Sequence, residues 1–429
     1  MSLKTLLVSR VAASITSEKR LKRKRVMQEK IRQAASTPHV VDYFHDVTDP
    51  YSNLCVQVLP AFLSRYDVSL QVHLVSPAPD WAAPERGRLE AYAREDAQLL
   101  AARAGLAFAD PGQQPAPEHI QRANARLAEA IDAGTFVSDA PAISDAAWRG
   151  TLEGTSGDAG ALSARLAAGS ARREELGHYL GGTFHYGGEW YWGVDRLHYL
   201  EARLTELGAR KPDTGDAVIF APPVSPAGRA VGPASSPKPE LHYYLSFRSP
   251  YTYIVALRAK TLADAYGADL KLRFVLPMIM RGLPVPRMKS RYITLDTARE
   301  ARRLGVPFGK IADPVGKPVE RGYSILPWAR DQGRGFEFCH AFLSGVWSQG
   351  IDAGSDTGMR QIVEAAGLDW EQARQQLLTD DWRAEAEANR AEMMALGVWG
   401  VPSFRVGDVI TWGQDRLWLI EDELRKQTS

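Results

Sequence analysis

The residues best suited to chemistry lie at the start of a predicted helix, in the tetrapeptide Ser249-Pro250-Tyr251-Thr252. Serine followed by proline is a common helix start, with the serine capping the first turn and the proline in its first position. A hydroxyl donor beside a helix N-terminus also stabilises an anion such as a thiolate, because the hydrogen bond and the helix dipole both favour negative charge. The sequence leaves both interpretations of Ser249 open: a cap alone, or a cap that also serves a bound anion.

A second group of interest lies in GVPSFRVGDVITWGQDRL, residues 400–417, which reads as a copy of LGGTFHYGGEWYWGVDRL, residues 180–197. Only the later copy carries Val401-Pro402; the earlier one has Gly181-Gly182 there. Both copies end in Asp-Arg-Leu, so the aspartate of the later copy, Asp415, is either a binding residue or part of a structural pair.

These residues belong to a longer internal repeat. YFHDVTDPYSNL matches YYLSFRSPYTYI without a gap, and Tyr92 aligns with Tyr292 at the same displacement of 200 residues. The displacement is 220 between Leu180 and Gly400, so the second copy has gained about twenty residues in between. Two long copies indicate a duplicated domain rather than a solenoid.

Each copy has the element order of an α/β domain. A strand leads into the helix that begins at X-Pro-Tyr, a second strand follows, and a helical insertion precedes a hairpin and a closing helix. The predicted strands are 40–44 and 69–75 in the first copy, and 241–245 and 269–276 in the second; the hairpins turn at Gly187-Gly188 and at Gly407-Asp408.

Composition shifts mark the domain limits. Residues 1–36 form a basic, helix-compatible extension that contains KRLKRKR, for which a solvated arm is favoured over a nucleic-acid or membrane contact. The first domain spans 37–210, and a linker rich in Pro, Gly and Ala covers 211–239. The second domain spans 240–429.

The overall composition excludes several classes of function. There are 52 Lys and Arg against 51 Asp and Glu, which gives no reason to expect nucleic acid on the folded domains. No apolar run is long enough to span a membrane, and no secretory signal is apparent, so a cytoplasmic location is predicted. The only cysteines, Cys55 and Cys339, lie in different copies, and no Cys/His cluster has the spacing of a metal site.

The motifs SPYTY, GVPF and GVWGVPSFRVGDVITWGQDRL, in this order, resemble one branch of the thioredoxin fold. The branch contains the kappa-class glutathione transferases, the 2-hydroxychromene-2-carboxylate isomerases and, more distantly, the DsbA-type disulfide oxidoreductases. The resemblance covers the second copy and, more weakly, the first. It predicts two tandem thioredoxin-like domains, each with a helical insertion. Neither copy has a thiol at the helix start, so dithiol chemistry is excluded there.

The resemblance implies that Ser249 hydrogen-bonds the sulfur of glutathione and that the Val401-Pro402 bond is cis. Val401 would then present its backbone N–H and C=O to the cysteinyl part of the cofactor. Gln414 and Asp415 would hold the γ-glutamyl end, with the aspartate on the ammonium group.

Three residues of the second copy, Lys289, Arg291 and Tyr292, fall where the family faces its substrate. A cation there would hold a carboxylate, and the tyrosine would contact a phenol or an aromatic ring. A solvated basic rim with a packed tyrosine explains the same residues. The loop before them reads RGLPVP rather than the Gly-Asn often found in the isomerases, so the substrate stays open.

The resemblance predicts a glutathione-dependent isomerase acting on a small aromatic-derived acid. A kappa-like transferase and a non-catalytic thioredoxin-fold binding or assembly protein are the alternatives. The first copy, with Asp49 and Gly181-Gly182, is interpreted as degenerate, because an aspartate would repel a thiolate. The two copies are expected to pack as an internal pseudo-dimer.

Overall fold

The structure is a computed structural model that describes residues 3–222, 238–377 and 379–428. Contacts divide the described residues into two compact units. The first unit falls within Arg23–Pro222, and the second within Met1–Lys22 together with Pro223–Ser429. Part of the predicted linker lies outside the described residues.

The described N-terminal residues form helices α1 (Leu3–Thr16) and α2 (Glu18–Ala34). In the second unit, Arg302 donates to the carbonyl of Thr16 at 3.0 Å. In the first unit, Arg25 pairs with both carboxylate oxygens of Glu189 at 2.8 and 3.0 Å. The last arginine of the basic run is therefore bound to the folded protein.

The first unit contains a four-stranded mixed sheet of order β2-β1-β3-β4. Its elements are β1 (Val40–His45), α3 (Pro50–Arg65), β2 (Ser69–Leu74), α4 (Arg86–Ala104), α5 (Pro117–Ala133), α6 (Phe136–Trp148), α7 (Ala159–Leu176), β3 (Thr183–Tyr186), β4 (Glu189–Trp192) and α8 (Leu197–Glu206).

The second unit has a sheet of the corresponding order, β6-β5-β7-β8. Its elements are β5 (Glu240–Leu245), α9 (Pro250–Ala265), β6 (Asp269–Phe274), α10 (Arg287–Arg303), α11 (Lys317–Asp331), α12 (Gly335–Ser344), α13 (Asp356–Ala365), α14 (Trp370–Gln376), α15 (Trp382–Ala395), β7 (Ser403–Val406), β8 (Val409–Trp412) and α16 (Leu417–Thr428).

Strand pairing follows the sequence repeat residue by residue. In both sheets the first two strands are parallel and the hairpin strands are antiparallel. Tyr43 pairs with Phe184 in the first sheet, and Tyr243 with Phe404 in the second. The predicted α/β class, hairpins and helical insertions are confirmed. Among the described residues, the insertion has four α-helices in the first unit and six in the second, where the sequence has gained residues.

The same tyrosines position the helix start that carries Ser249. The hydroxyl of Tyr43 donates to the carbonyl of Ser52 at 3.1 Å, and that of Tyr243 to the carbonyl of Thr252 at 2.7 Å. Both rings are fully buried in the cores that lie between the sheets and their helices. The first turn of α9 is thus fixed to the strand before it.

Within the described residues, no helix has both the length and the apolar content needed to cross a membrane.

Candidate functional site

Ser249 lies at the N-cap of α9 and contacts the segment before β7. Its Oγ accepts from the Thr252 N–H at 3.2 Å and donates to the Val401 carbonyl at 3.3 Å. The side chain is half-buried. Capping is therefore part of its role, and the same hydroxyl lies beside Val401, as the predicted site requires.

The Val401-Pro402 peptide bond is cis, as the resemblance predicts. The Pro402 carbonyl accepts from the Gly413 N–H at 2.8 Å, which ties the proline to the end of the hairpin. Within the described part of the chain, the Val401 N–H has no hydrogen-bond acceptor. The residue is half-buried, so this segment retains an open donor beside the Ser249 hydroxyl.

Gln414 is only 2% exposed and its side chain joins an internal polar network. Its amide oxygen accepts from Arg258, and its amide nitrogen donates to Glu300 at 2.9 Å and to Asp415. Glu300 also pairs with Arg303 at 2.9 Å. Burial lowers the pKa of the Arg258 guanidinium to about 10. The predicted cofactor contact of the Gln414 side chain stays a prediction, because these neighbours already use both ends of its amide.

Asp415 is half-buried beside this network and receives a hydrogen bond from the Gln414 amide. A carboxylate has about four acceptor sites, so a partly exposed one that already accepts a hydrogen bond can also receive a ligand ammonium group. The arrangement is compatible with the predicted role of Asp415 on an ammonium group.

Lys289, near the start of α10, lies over the ring of Trp399, with its Nζ 6.0 Å from the ring centroid. Burial lowers the pKa of its ammonium group to about 8. Trp399 is 3% exposed and meets Trp412 edge-on, with 5.2 Å between ring centroids. A Cβ at Gly400 would lie 2.3 Å from the Trp412 ring, so this packing requires glycine. The structure thus brings Lys289 to the segment that leads into the cis-proline.

Arg291 and Tyr292 are placed differently from each other. Arg291 is exposed and makes no ion pair with any residue that the structure describes, whereas Tyr292 is 8% exposed. Tyr292 precedes Asp296 by one helical turn, and Asp296 accepts from the Tyr251 hydroxyl at 2.7 Å. This bond fixes α10 against the helix start, and Tyr51 makes the same bond to Asp96 in the first unit. The substrate roles of Arg291 and Tyr292 stay predictions.

The equivalent position in the first unit is occupied by Asp49, which caps α3. Its carboxylate accepts from the N–H groups of Tyr51 and Ser52 at 3.2 and 3.1 Å and from the Ser52 hydroxyl at 2.8 Å. Burial, with a further contribution from the carboxylate of Asp46, raises the pKa of Asp49 to about 7.

Gly181 and Gly182 bring the backbone against these two carboxylates. A Cβ at Gly181 would lie 2.5 Å from the Asp46 Cβ, and one at Gly182 would lie 2.9 Å from Asp49 Oδ2. Gly182 has φ +58°, which the ring of a proline does not permit. The first unit therefore cannot adopt the Val-cis-Pro geometry without moving Asp49.

We expect Asp49→Asn to make the stability of the first unit less dependent on pH. Folding raises the pKa of this carboxyl group, so its contribution to the free energy of unfolding is largest below the pKa of the unfolded state. This contribution is lost as the pH rises towards 7, the pKa of the folded state. By linkage the effect is at most a few kcal/mol. Thermal unfolding of wild type and variant between pH 4 and 8 measures it; parallel curves would contradict the raised pKa.

Three residues near the site were not predicted from the sequence: Arg258, Glu300 and Trp399. An arginine or glutamate within a helix is usually solvated, so the sequence does not indicate that Arg258 and Glu300 are buried. The repeat does contain a signal for Arg258 and Glu300, since the corresponding residues of the first unit, Val58 and Leu100, are apolar.

Cys55 and Cys339 are both buried free thiols. Burial raises the pKa of each thiol above its usual value. Neither residue lies at a helix start, and no C-x-x-C pair exists in the sequence.

Comparison with known proteins agrees with the fold of the second unit. The family model of the DSBA-like thioredoxin domain matches residues 240–425 and does not extend to the first unit. A 2-hydroxychromene-2-carboxylate isomerase of Sphingobium xenophagum is 26% identical over 43% of this chain and 97% of its own. One of Pseudomonas putida is 22% identical over 42% of this chain and 92% of its own.

A solved structure of a 2-hydroxychromene-2-carboxylate isomerase is 22% identical, with a TM-score of 0.37, and the match covers 43% of this chain and 94% of that one. By the match to the family model and the similarity to these sequences, the C-terminal half of this chain contains a DSBA-like thioredoxin domain related to the 2-hydroxychromene-2-carboxylate isomerases.

Proposed function

We propose that the second unit is a glutathione-dependent isomerase that acts on a small aromatic-derived acid. The contact between the Ser249 hydroxyl and the Val401 carbonyl, next to cis-Pro402, carries the proposal. The Ser249 hydroxyl, the N-terminus of α9 and the open N–H of Val401 lie together there, and all three suit a cysteinyl thiolate. The names of the related enzymes point to the isomerase class.

Glutathione fits the residues present. Val401 would pair with the cysteinyl backbone, and Asp415 would accept from the γ-glutamyl ammonium. The Ser249 hydroxyl would turn its proton from the Val401 carbonyl to the sulfur. When bound, glutathione would supply the sulfur that adds to a conjugated carbon of the substrate, allows rotation, and leaves again. The protein supplies orientation and stabilises the thiolate.

Lys289 and Trp412 would form the substrate side of the site. The ammonium group of Lys289 is a cation near the segment that leads into Pro402, and it suits a carboxylate. Trp412, the half-buried member of the tryptophan pair, would provide an apolar wall for an aromatic ring. Arg291, exposed on the same helix, and Tyr292 are proposed to contribute at the rim and in the wall of the site.

The first unit is proposed to be a lapsed copy that binds no thiol. Asp49 stands where the proposed thiolate site has a serine, and the glycine pair holds the backbone close to its carboxylate. A thiolate there would meet a carboxylate instead of a hydroxyl donor.

Calorimetric titration of glutathione tests the function. We expect one site per chain, because the second unit has the serine and the Asp415 network, whereas the first has Asp49 and Val194 at the corresponding positions. Ser249→Ala should weaken binding about 10-fold, as loss of a hydrogen bond to a charged group does. Isomerisation of 2-hydroxychromene-2-carboxylate by the wild type would then establish the reaction.

Asp49→Asn is the matched control, since it alters the equivalent cap of the first unit and should leave glutathione binding unchanged. Two sites per chain would refute the lapsed first copy. No binding at millimolar glutathione would refute the proposed function and would favour a thioredoxin-fold binding or assembly protein.

A further inference from the structure

Three polar residues of the second unit occupy positions that are apolar in the first. Arg258, Glu300 and Gln414 correspond, by the two displacements of the repeat, to the residues Val58, Leu100 and Val194. The apolar residues are buried, with 4%, 1% and 1% of their surface exposed. In the second unit the three polar side chains form one hydrogen-bonded network through the Gln414 amide.

The fold itself does not require this network. The first unit builds the same sheet, with the same register, on apolar residues at all three positions. Burying a guanidinium, a carboxylate and an amide costs desolvation free energy, and well-packed apolar replacements are often neutral or stabilising. The presence of the network in one unit only therefore points to a purpose other than stability.

The network is directed at Asp415. The Gln414 amide is held on its oxygen side by Arg258 and on its nitrogen side by Glu300, so its orientation is fixed. The same amide nitrogen donates to the Asp415 carboxylate. The corresponding aspartate of the first unit, Asp195, follows a valine, which has no side-chain donor.

We propose that Arg258, Glu300 and Gln414 are positioning residues that fix the Asp415 carboxylate to receive the ammonium group of a γ-glutamyl thiol. This inference rests on the proposed function. On this inference, the network makes the site bind glutathione more tightly than thiols that lack the γ-glutamyl group. The Ser249 and Val401 contacts would act on the cysteinyl part alone.

The test replaces all three residues by those of the first unit: Arg258→Val, Glu300→Leu and Gln414→Val together. A triple variant is needed because single changes leave buried charged groups unpaired. Kd values for glutathione and for cysteinylglycine, which lacks the γ-glutamyl group, are measured by calorimetry. We expect glutathione affinity to fall about 10-fold or more, with cysteinylglycine affinity and the unfolding temperature unchanged or raised.

Two controls separate positioning from a general structural effect. Arg330→Val with Glu385→Leu removes an ion pair of the same unit, 2.6 Å long, that lies outside the site and should alter neither affinity. Asp415→Asn is combined with the triple variant in a double-mutant cycle. If the network acts through Asp415, the triple change has no further effect in the Asp415→Asn background.

The outcomes separate this inference from the proposed function. Equal loss of affinity for both thiols, or additive effects in the cycle, would overturn the positioning role while glutathione binding stands. If the wild type binds neither thiol, the proposed function and this inference both fail. A triple variant that does not fold would show that the network is structural, and it would overturn the inference as well.

Discussion

Replacing Ser249 by aspartate is expected to leave the second unit folded and to lower kcat/KM for isomerisation at least about 100-fold at pH 8. Aspartate caps helices as well as serine does, and Asp49 caps the equivalent helix in the first unit. The helix cap is therefore retained, but the carboxylate has to turn away from the Val401 carbonyl, and thermal unfolding measures what this shift costs in stability. A carboxylate beside the sulfur would, however, repel the thiolate and remove its donor, and loss of one such donor costs about 10²–10³ in rate.

The pKa of bound glutathione gives a direct measurement of this effect. Thiolate absorbance during a pH titration should show a pKa below that of free thiol on the wild type and above it on Ser249→Asp. Ser249→Thr, which keeps both the hydroxyl and the cap, should retain most of the activity. A Ser249→Asp variant with wild-type activity would reduce Ser249 to a helix cap.

Much of the fold was predictable because the same order of sequence motifs occurs in both copies of the repeat. The shared spacing of Tyr43 and Tyr243 before X-Pro-Tyr places a strand and a helix start in both units, and the sheets repeat this order. The glycine turns fix the hairpins, and their registers match between the units. The cis bond at Pro402 followed from resemblance, since no local pattern specifies the isomer.

The partners within the site were harder to predict. Gln414 next to an aspartate suggests a ligand contact, yet its amide is used by Arg258 and Glu300, which lie on two different helices. Lys289 and Trp399 are distant in sequence and meet only through packing of α10 on the segment before β7. Such contacts depend on tertiary structure, which helical or strand periodicity does not encode.

Lys289→Met is expected to lower kcat/KM for the anionic substrate about 10- to 100-fold at pH 7, which corresponds to losing a hydrogen bond to a charged group. The wild-type ammonium has its pKa lowered to about 8 by burial, so it is charged at pH 7 and loses its proton as the pH rises through 8. Binding of a carboxylate should weaken over the same range. The wild-type kcat/KM should thus fall at alkaline pH. Ionisation of the thiol has the opposite effect, because it increases the rate as the pH rises.

Arginine at the same position distinguishes this explanation from a packing effect. A guanidinium stays charged across the whole range, so Lys289→Arg should move the alkaline fall to higher pH, whereas Lys289→Met should remove it. Arg291→Met changes an exposed cation of the same helix and should have the smaller effect. The proposed partner of Lys289 is the negative charge of the substrate. Lys289→Met and the wild type should therefore have the same kcat/KM for a neutral ester of the substrate. If the alkaline decrease in kcat/KM is unchanged in Lys289→Arg, another group is responsible for it. The role of Lys289 would then be limited to packing against Trp399.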